Sequence, residues 1–345
     1  MVDAVVQALT GSHTSNVTGA GQFAIAPTGT LAWIQGPITP YPDSALVTVD
    51  RQGRITVLPL PVRSYTPFVS CSSDGRQLAA SIYGLTEVGL WLSDLDRGTL
   101  TLVNREGEAR YVKWSPREGR LMFSWLKDGR ESLAAQPADG TASPQVVLAG
   151  GFVPSSWTPD GQQLVGVQSG DIAITWVEGG KARAKPLFES PHRERWPELS
   201  PDGRWLVYGS DVSGRDEVYV RPFPGSGPAE QLSVDGGNTP AWRSDGREMY
   251  FISPLSPAGR RSMMVADVDA TASHRIGRPR PLFEFDPAEL FLLCSPVRCY
   301  DIAPNGQRFF GVQLRPGPPP PPVTHINLIQ NWVEELKAKV PSGTR

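Results

Sequence analysis

Cysteine is scarce in this chain of 345 residues: Cys71, Cys294 and Cys299 are the only three, and no Cys-x-x-Cys pair occurs. That excludes a disulfide framework as the organising principle. Cys294 and Cys299 stand close enough to close a small loop in an exported protein, whereas a cytosolic host would keep them as thiols. No run of eighteen apolar residues is present, so no membrane-spanning helix is expected. Met1 to Thr10 lacks a basic segment followed by an apolar core, so the sequence as written carries no secretory signal and a cytoplasmic location is expected. Neither sign of charge dominates: the formal net charge is -2, which gives no attraction to nucleic acid or to an anionic membrane. A Gly-x-Ser-x-Gly elbow, a His-Glu-x-x-His pair and a phosphate-cradling Gly-x-x-x-x-Gly-Lys loop are all missing. Serine hydrolases and ATP-driven enzymes are therefore poor readings. A monomer is expected.

Glycine and proline are plentiful, 35 and 34 residues, which favours many short strands joined by tight turns over long helices. The turns repeat. Ser200-Pro201-Asp202-Gly203 suits a type I turn closed by a left-handed glycine, and strand-forming residues flank it on both sides. Equivalent turns end at Gly29, Gly75, Gly119, Gly161, Gly246 and Gly306, spaced by 46, 44, 42, 42, 43 and 60 residues over the series. The position before each turn is apolar: Ile25, Cys71, Trp114, Trp157, Leu199, Trp242 and Ile302. Cys71 thus reads as a buried apolar filler. A period in the low forties with two strands flanking each turn and two more following fits four-stranded propeller blades.

The expected fold is a single all-β domain over residues 2–340, a seven-bladed β-propeller of four-stranded antiparallel blades, with a six-bladed ring as the alternative. An N-terminal strand at 3–9 pairing with 323–330 of the seventh repeat would close the ring and remove both open edges. The long last interval predicts an insertion near Phe285 to Arg298. Pro316 to Pro322 reads as a stiff exposed loop, or as a polyproline ligand for a partner. Residues 331–340 read as a short helix latched on the propeller, and 341–345 as a tail.

The Ser-Pro-Asp-Gly-Arg turn resembles the TolB-like propeller repeat. The run from Trp196 to Phe223, Thr239-Pro240-Ala241-Trp242 to Tyr250, and Asn331-Trp332-Val333-Glu334-Glu335-Leu336-Lys337 together resemble the C-terminal sensor propeller of bacterial serine/threonine protein kinases. The resemblance spans nearly the whole chain. It implies a bacterial sensor module, and a periplasmic or extracellular location if the chain is a receptor tail. It implies no reaction, because the kinase motifs are absent and propellers host binders and enzymes alike.

In a propeller the first strand of each blade lines the central channel, so the Ser-Pro-Asp-Gly turns share one face. Residues that precede the first strands gather at the opposite mouth. Tyr65, Arg110, Tyr111, Arg195, Trp196, Asn238 and Arg298 are the candidate ligand-binding residues there, suited to a small anionic molecule or a peptide. His192, Glu194 and Asp211 are candidate ligands for a divalent cation, calcium or zinc. Glu194 between Arg193 and Arg195 reads equally as a surface ion-pair loop. Two functions follow as expectations. One is a sensor or scaffold that binds a ligand or protein partner at the mouth. The alternative is a metal-dependent, phosphotriesterase-like hydrolase of esters, lactones or phosphoesters in the channel.

Overall fold

A computed structural model describes residues 23–26, 29–33, 42–84, 87–117, 119–177, 183–188, 190–225, 227–269, 276–315 and 327–333. They are almost entirely β. Five sheets follow the chain in order, each antiparallel and four-stranded: blade I over Tyr65–Asn104, II over Glu108–Ala149, III over Phe152–Pro186, IV over Glu194–Gln231 and V over Asn238–Phe285. The sixth blade joins the two ends. Asp301–Ile302 and Leu290–Phe291 pair with Arg308–Leu314, which pairs with Ser44–Asp50, which pairs with Ile55–Val57. The ring therefore has six blades and not seven.

The six-bladed alternative is the one that forms, for a physical reason. A seven-bladed ring would place Ala45–Asp50 after the first hairpin, as the third strand of the same blade. Instead all seven residues of Ser44–Asp50 pair with Arg308–Leu314, in register from Ser44 with Leu314 to Asp50 with Arg308. Six of the seven are buried. This pairing closes the ring and leaves neither strand an open edge. The first hairpin, Phe23–Ile25 with Leu31–Trp33, forms a separate three-stranded sheet with Asn327–Ile329. The proposed closing strand 3–9 and the proline run lie outside the described residues, as does the helix beyond its first residues, Trp332 and Val333.

The turns carry more than chain reversal. In three of them the first hydroxyl donates to the aspartate carboxylate: Ser72 to Asp74 at 2.5 Å, Thr158 to Asp160 at 2.5 Å and Ser200 to Asp202 at 2.6 Å. The same hydroxyl accepts the amide five residues on, and the carboxylate accepts the amide two residues on. Neighbouring turns also interlock. A Cβ on Gly203, at φ 70°, would lie 2.8 Å from Pro159 of blade III, and one on Gly161 3.0 Å from Pro116 of blade II. Proline in one turn and glycine in the next are thus one contact. Where the preceding turn lacks its proline, at Gly119, nothing lies within 4 Å. Cys71 is half-buried against the blade I core, where burial pushes its thiol pKa up, as suits an inert filler.

Candidate functional site at the plugged channel

The inner strands are Tyr65–Cys71, Glu108–Trp114, Phe152–Trp157, Glu194–Leu199, Asn238–Trp242 and Asp301–Ile302. Each runs from the mouth to its turn. The register slips near the third residue before the pre-turn position in blades I to V. That position holds Phe68, Tyr111, Pro154, Trp196, Thr239 and Cys299 around the ring. Tyr111, Trp196 and Thr239 sit at positive φ, 54°, 56° and 49°. Such left-handed backbone at bulky residues persists only where the surroundings enforce it.

Those surroundings are the insertion. Residues 292–300, between Leu290–Phe291 and Asp301–Ile302 of blade VI, cross the mouth as a plug. Cys294 and Cys299 are joined in a disulfide with their Cα atoms 5.6 Å apart, so the pair expected as thiols in a cytosolic host is oxidised. Val297 and Cys299 are fully buried and cluster with Phe68 and Val167, flanked by Tyr111 and Val153. Phe68 and Tyr111 rings meet at 4.3 Å. Trp196 ties the plug to blade IV twice: its amide donates to the Pro296 carbonyl at 2.8 Å and its indole N–H to the Cys294 carbonyl at 2.5 Å. Its ring lies against Gly209, where a Cβ would come within 2.4 Å. On the other side the Tyr300 hydroxyl donates to the Thr239 carbonyl at 2.8 Å.

Nearer the turns, one residue before each pre-turn position, a polar ring lines the channel: Ser70, Lys113, Ser156, Glu198 and Asp301, with Ala241 the exception. Four of them accept the pre-turn amide of the next blade. Ser70 takes Trp114, Ser156 takes Leu199, Glu198 takes Trp242 and Asp301 takes Cys71, at 2.7 to 3.2 Å. Arg298 drops from the plug into this ring, its Nε 2.7 Å from Glu198 and its NH1 3.1 Å from Asp301. Burial opposes its charge, but the two carboxylates hold the guanidinium firmly protonated.

The expected site residues separate into three groups. Trp196, Tyr111 and Arg298 do face the channel, but as parts of the seal and of the buried charge set. Tyr65 is in the core; burial pushes its phenol up to about 12 and its hydroxyl donates to the Pro61 carbonyl. Arg110 is paired with Glu108, and Arg195 with Asp216 while it stacks on Trp196 at 4.6 Å. Asn238 opens the blade V inner strand, half-buried. Of the candidate metal ligands, exposed His192 lies 3.8 Å from Asp211. The Arg193 side chain and amide both bond to Asp211 and hold its carboxyl below the usual range. Glu194 is buried, which pushes its carboxyl up against the pull of the Ser190 hydroxyl. Among the described residues no three His, Cys, Asp or Glu side chains group as a cation would require. Lys113, Glu198 and Asp301 were not singled out from the sequence. Reading the aligned turns one column further upstream exposes them, as polar residues inside otherwise apolar strands.

Around the plug, blades IV and V present a rim. Loop 211–216 carries Val212, loop 233–237 carries Val234 and loop 253–260 carries Leu255, respectively 50%, 72% and 53% exposed. These loops touch. Arg215 bonds to the Val234 carbonyl and lies 4.0 Å from Asp235, and Gly236 packs on Pro254. Buried Glu217 anchors them, accepting from Arg215, Ser233 and the Gly236 amide.

No protein-family model matches the chain, and no curated protein matches it in sequence. Solved structures do match in fold. One described as "putative TolB" from Agrobacterium tumefaciens has a TM-score of 0.62 at 20% identity, over 80% of this chain and 99% of that one. TolB from Acinetobacter baumannii has a TM-score of 0.52 at 15% identity, over 73% and 68%. The chain is thus similar to TolB-like propellers in fold. No helix among the described residues is long and apolar enough to cross a membrane.

Proposed function

We propose that this propeller is a protein-binding sensor or scaffold module that docks its partner on the plugged face, at the rim of blades IV and V. The observation that carries the reading is the mouth itself. The chain's own segment occupies it, while Val212, Val234 and Leu255 stand exposed among Arg193, Arg215 and Asp235 beside it. A shallow surface with apolar centres and a charged surround suits a macromolecular partner better than a small molecule enclosed in a cavity. The sensor role and a place at the end of a bacterial receptor kinase rest on the sequence motifs around Trp196–Phe223, Thr239–Tyr250 and Asn331–Lys337. The Cys294–Cys299 bond favours an oxidising compartment, hence the periplasmic or extracellular alternative over the cytoplasmic one.

Panning a displayed peptide library against the folded protein tests the reading, with Val212→Asp/Val234→Asp as the parallel target. Sequences enriched on the native protein and lost on the variant are expected. No enrichment, or enrichment indifferent to the variant, contradicts it. The alternative, metal-assisted hydrolysis at His192, Glu194 and Asp211, requires Asp211 to leave Arg193. Chelator-sensitive turnover of chromogenic esters or phosphoesters that disappears in Glu194→Gln would establish it instead.

A further inference from the structure

We propose that a groove on the side of the ring, between blades IV and V, seats a short extended segment of a protein partner in which a large apolar side chain stands between an acidic and a basic residue. This deepens the docking surface proposed above and rests on the reading that blades IV and V face a protein partner. The groove has its cause in the strands. The fourth strand of blade IV has two residues, Glu230–Gln231, whereas those of blades I, II and V have six, five and six. It pairs with Tyr219 and Val220 and stops, so Arg221 and Pro222 have no outer partner strand among the described residues. A cavity of about 800 Å³ is left beside it.

The floor of the groove is the outer margin of the core that blades IV and V share. Val220 and Trp242 belong to that core, and Trp205, Leu232 and Ile276 pack against it while staying partly exposed. A large apolar side chain seated there would extend the core, as a buried anchor does at a protein interface. Val234, the most exposed large apolar side chain among the described residues, lines the groove and also belongs to rim loop 233–237, so groove and rim are one continuous surface. The two walls carry opposite charge. Glu230 stands on the blade IV wall and Arg278 on the blade V wall; both are exposed, and neither side chain makes a hydrogen bond or ion pair among the described residues. A segment that turns a carboxylate to Arg278 and a cation to Glu230 meets both walls with complementary charge and lays its apolar side chain on the two indoles between them. Residues 230–234 span at most about 13 Å at about 3.3 Å per residue, which is room for about four extended partner residues.

The test is panning of a displayed peptide library against the native protein, with Arg278→Glu, Glu230→Arg and Val212→Asp/Leu255→Asp as parallel targets. Arg278 and Glu230 are exposed, so both charge exchanges should leave the fold in place, which thermal unfolding checks. Sequences that place a large apolar residue between an acidic and a basic one are expected on the native protein. Arg278→Glu should exchange the acidic position for lysine or arginine, and Glu230→Arg the basic position for aspartate or glutamate. A synthetic copy of a natively selected peptide should bind Arg278→Glu about tenfold or more weakly, because attraction has become repulsion. Enrichment lost on Val212→Asp/Leu255→Asp but indifferent to both charge exchanges would overturn the groove and leave the rim reading standing. Sequences that follow the charge exchanges and survive that double variant would support the groove and confine the docking surface to it. No enrichment on the native protein would overturn both.

Discussion

Trp196→Phe isolates one hydrogen bond of the seal. Phenylalanine keeps an aromatic ring on Gly209 and keeps the backbone at φ 56°, but it deletes the indole N–H that serves the Cys294 carbonyl. Trp196 is 3% exposed, so the orphaned carbonyl is not readily rehydrated. Leaving a buried acceptor unmet costs about 1–3 kcal/mol. Unfolding entropy of about 2 cal/mol/K per residue gives about 0.7 kcal/mol/K for this chain, so the melting midpoint should fall by roughly 1.5–4 °C. The loss is local to the plug. Plug opening, read as the rate at which dithiothreitol reduces Cys294–Cys299, should therefore accelerate about tenfold for each 1.4 kcal/mol. Calorimetry and mass-spectrometric counting of alkylated cysteines measure the two effects. A variant within about 0.5 kcal/mol of the parent and reduced at the same rate would refute the claim that Trp196 fastens the plug.

Other consequences are equally direct. Replacing Cys294 and Cys299 by serine releases a loop of sequence separation 5; the chain-entropy relation gives about 2 kcal/mol, measurable by urea denaturation. Gly119→Ala should cost only the left-handed backbone penalty, about 1 kcal/mol, because nothing lies within 4 Å. Gly203→Ala adds a collision with Pro159 and should cost roughly 2–4 kcal/mol. Equal losses would break the interlocking-turn account. Burial works against the Asp202 and Glu248 carboxylates, yet Ser200 and Arg204 hold the first, and Arg51 and Tyr250 the second, down to about 2. Their folded pKa values lie below the unfolded ones, so their contribution is present above about pH 4 and lost as pH falls toward about 2. Asp202→Asn should therefore destabilise at pH 7 and make little difference near pH 2.

The hairpins were legible because their information is local. Proline, aspartate and glycine at fixed offsets specify each turn, and all seven turn glycines do sit at positive φ. The number of blades was not legible in the same way. Ser44–Asp50 has the same alternating character as any third strand, and its partner Arg308–Leu314 lies at the far end of the chain. Nothing near Ser44 distinguishes that partner from the first hairpin. The long interval before Gly306 did announce an insertion, but not that it would turn inward. That outcome depends on Phe68, Tyr111 and Trp196 offering an apolar floor from three different blades. Arg298 illustrates the same limit. It was expected at the channel mouth as a ligand-binding residue, whereas its pairing inside the channel follows only from Glu198 and Asp301, which reach it from different blades and carry no shared motif.

Hydrogen–deuterium exchange over residues 290–300 tests most directly the claim that the chain closes its own channel mouth and so offers partners a surface in place of a cavity. Peptides from this segment, and those reporting the Trp196 amide bonded to Pro296, should exchange as slowly as the inner strands and speed up only after reductant is added. Complete exchange of 290–300 within seconds, in oxidised protein whose blades remain protected, would contradict the account.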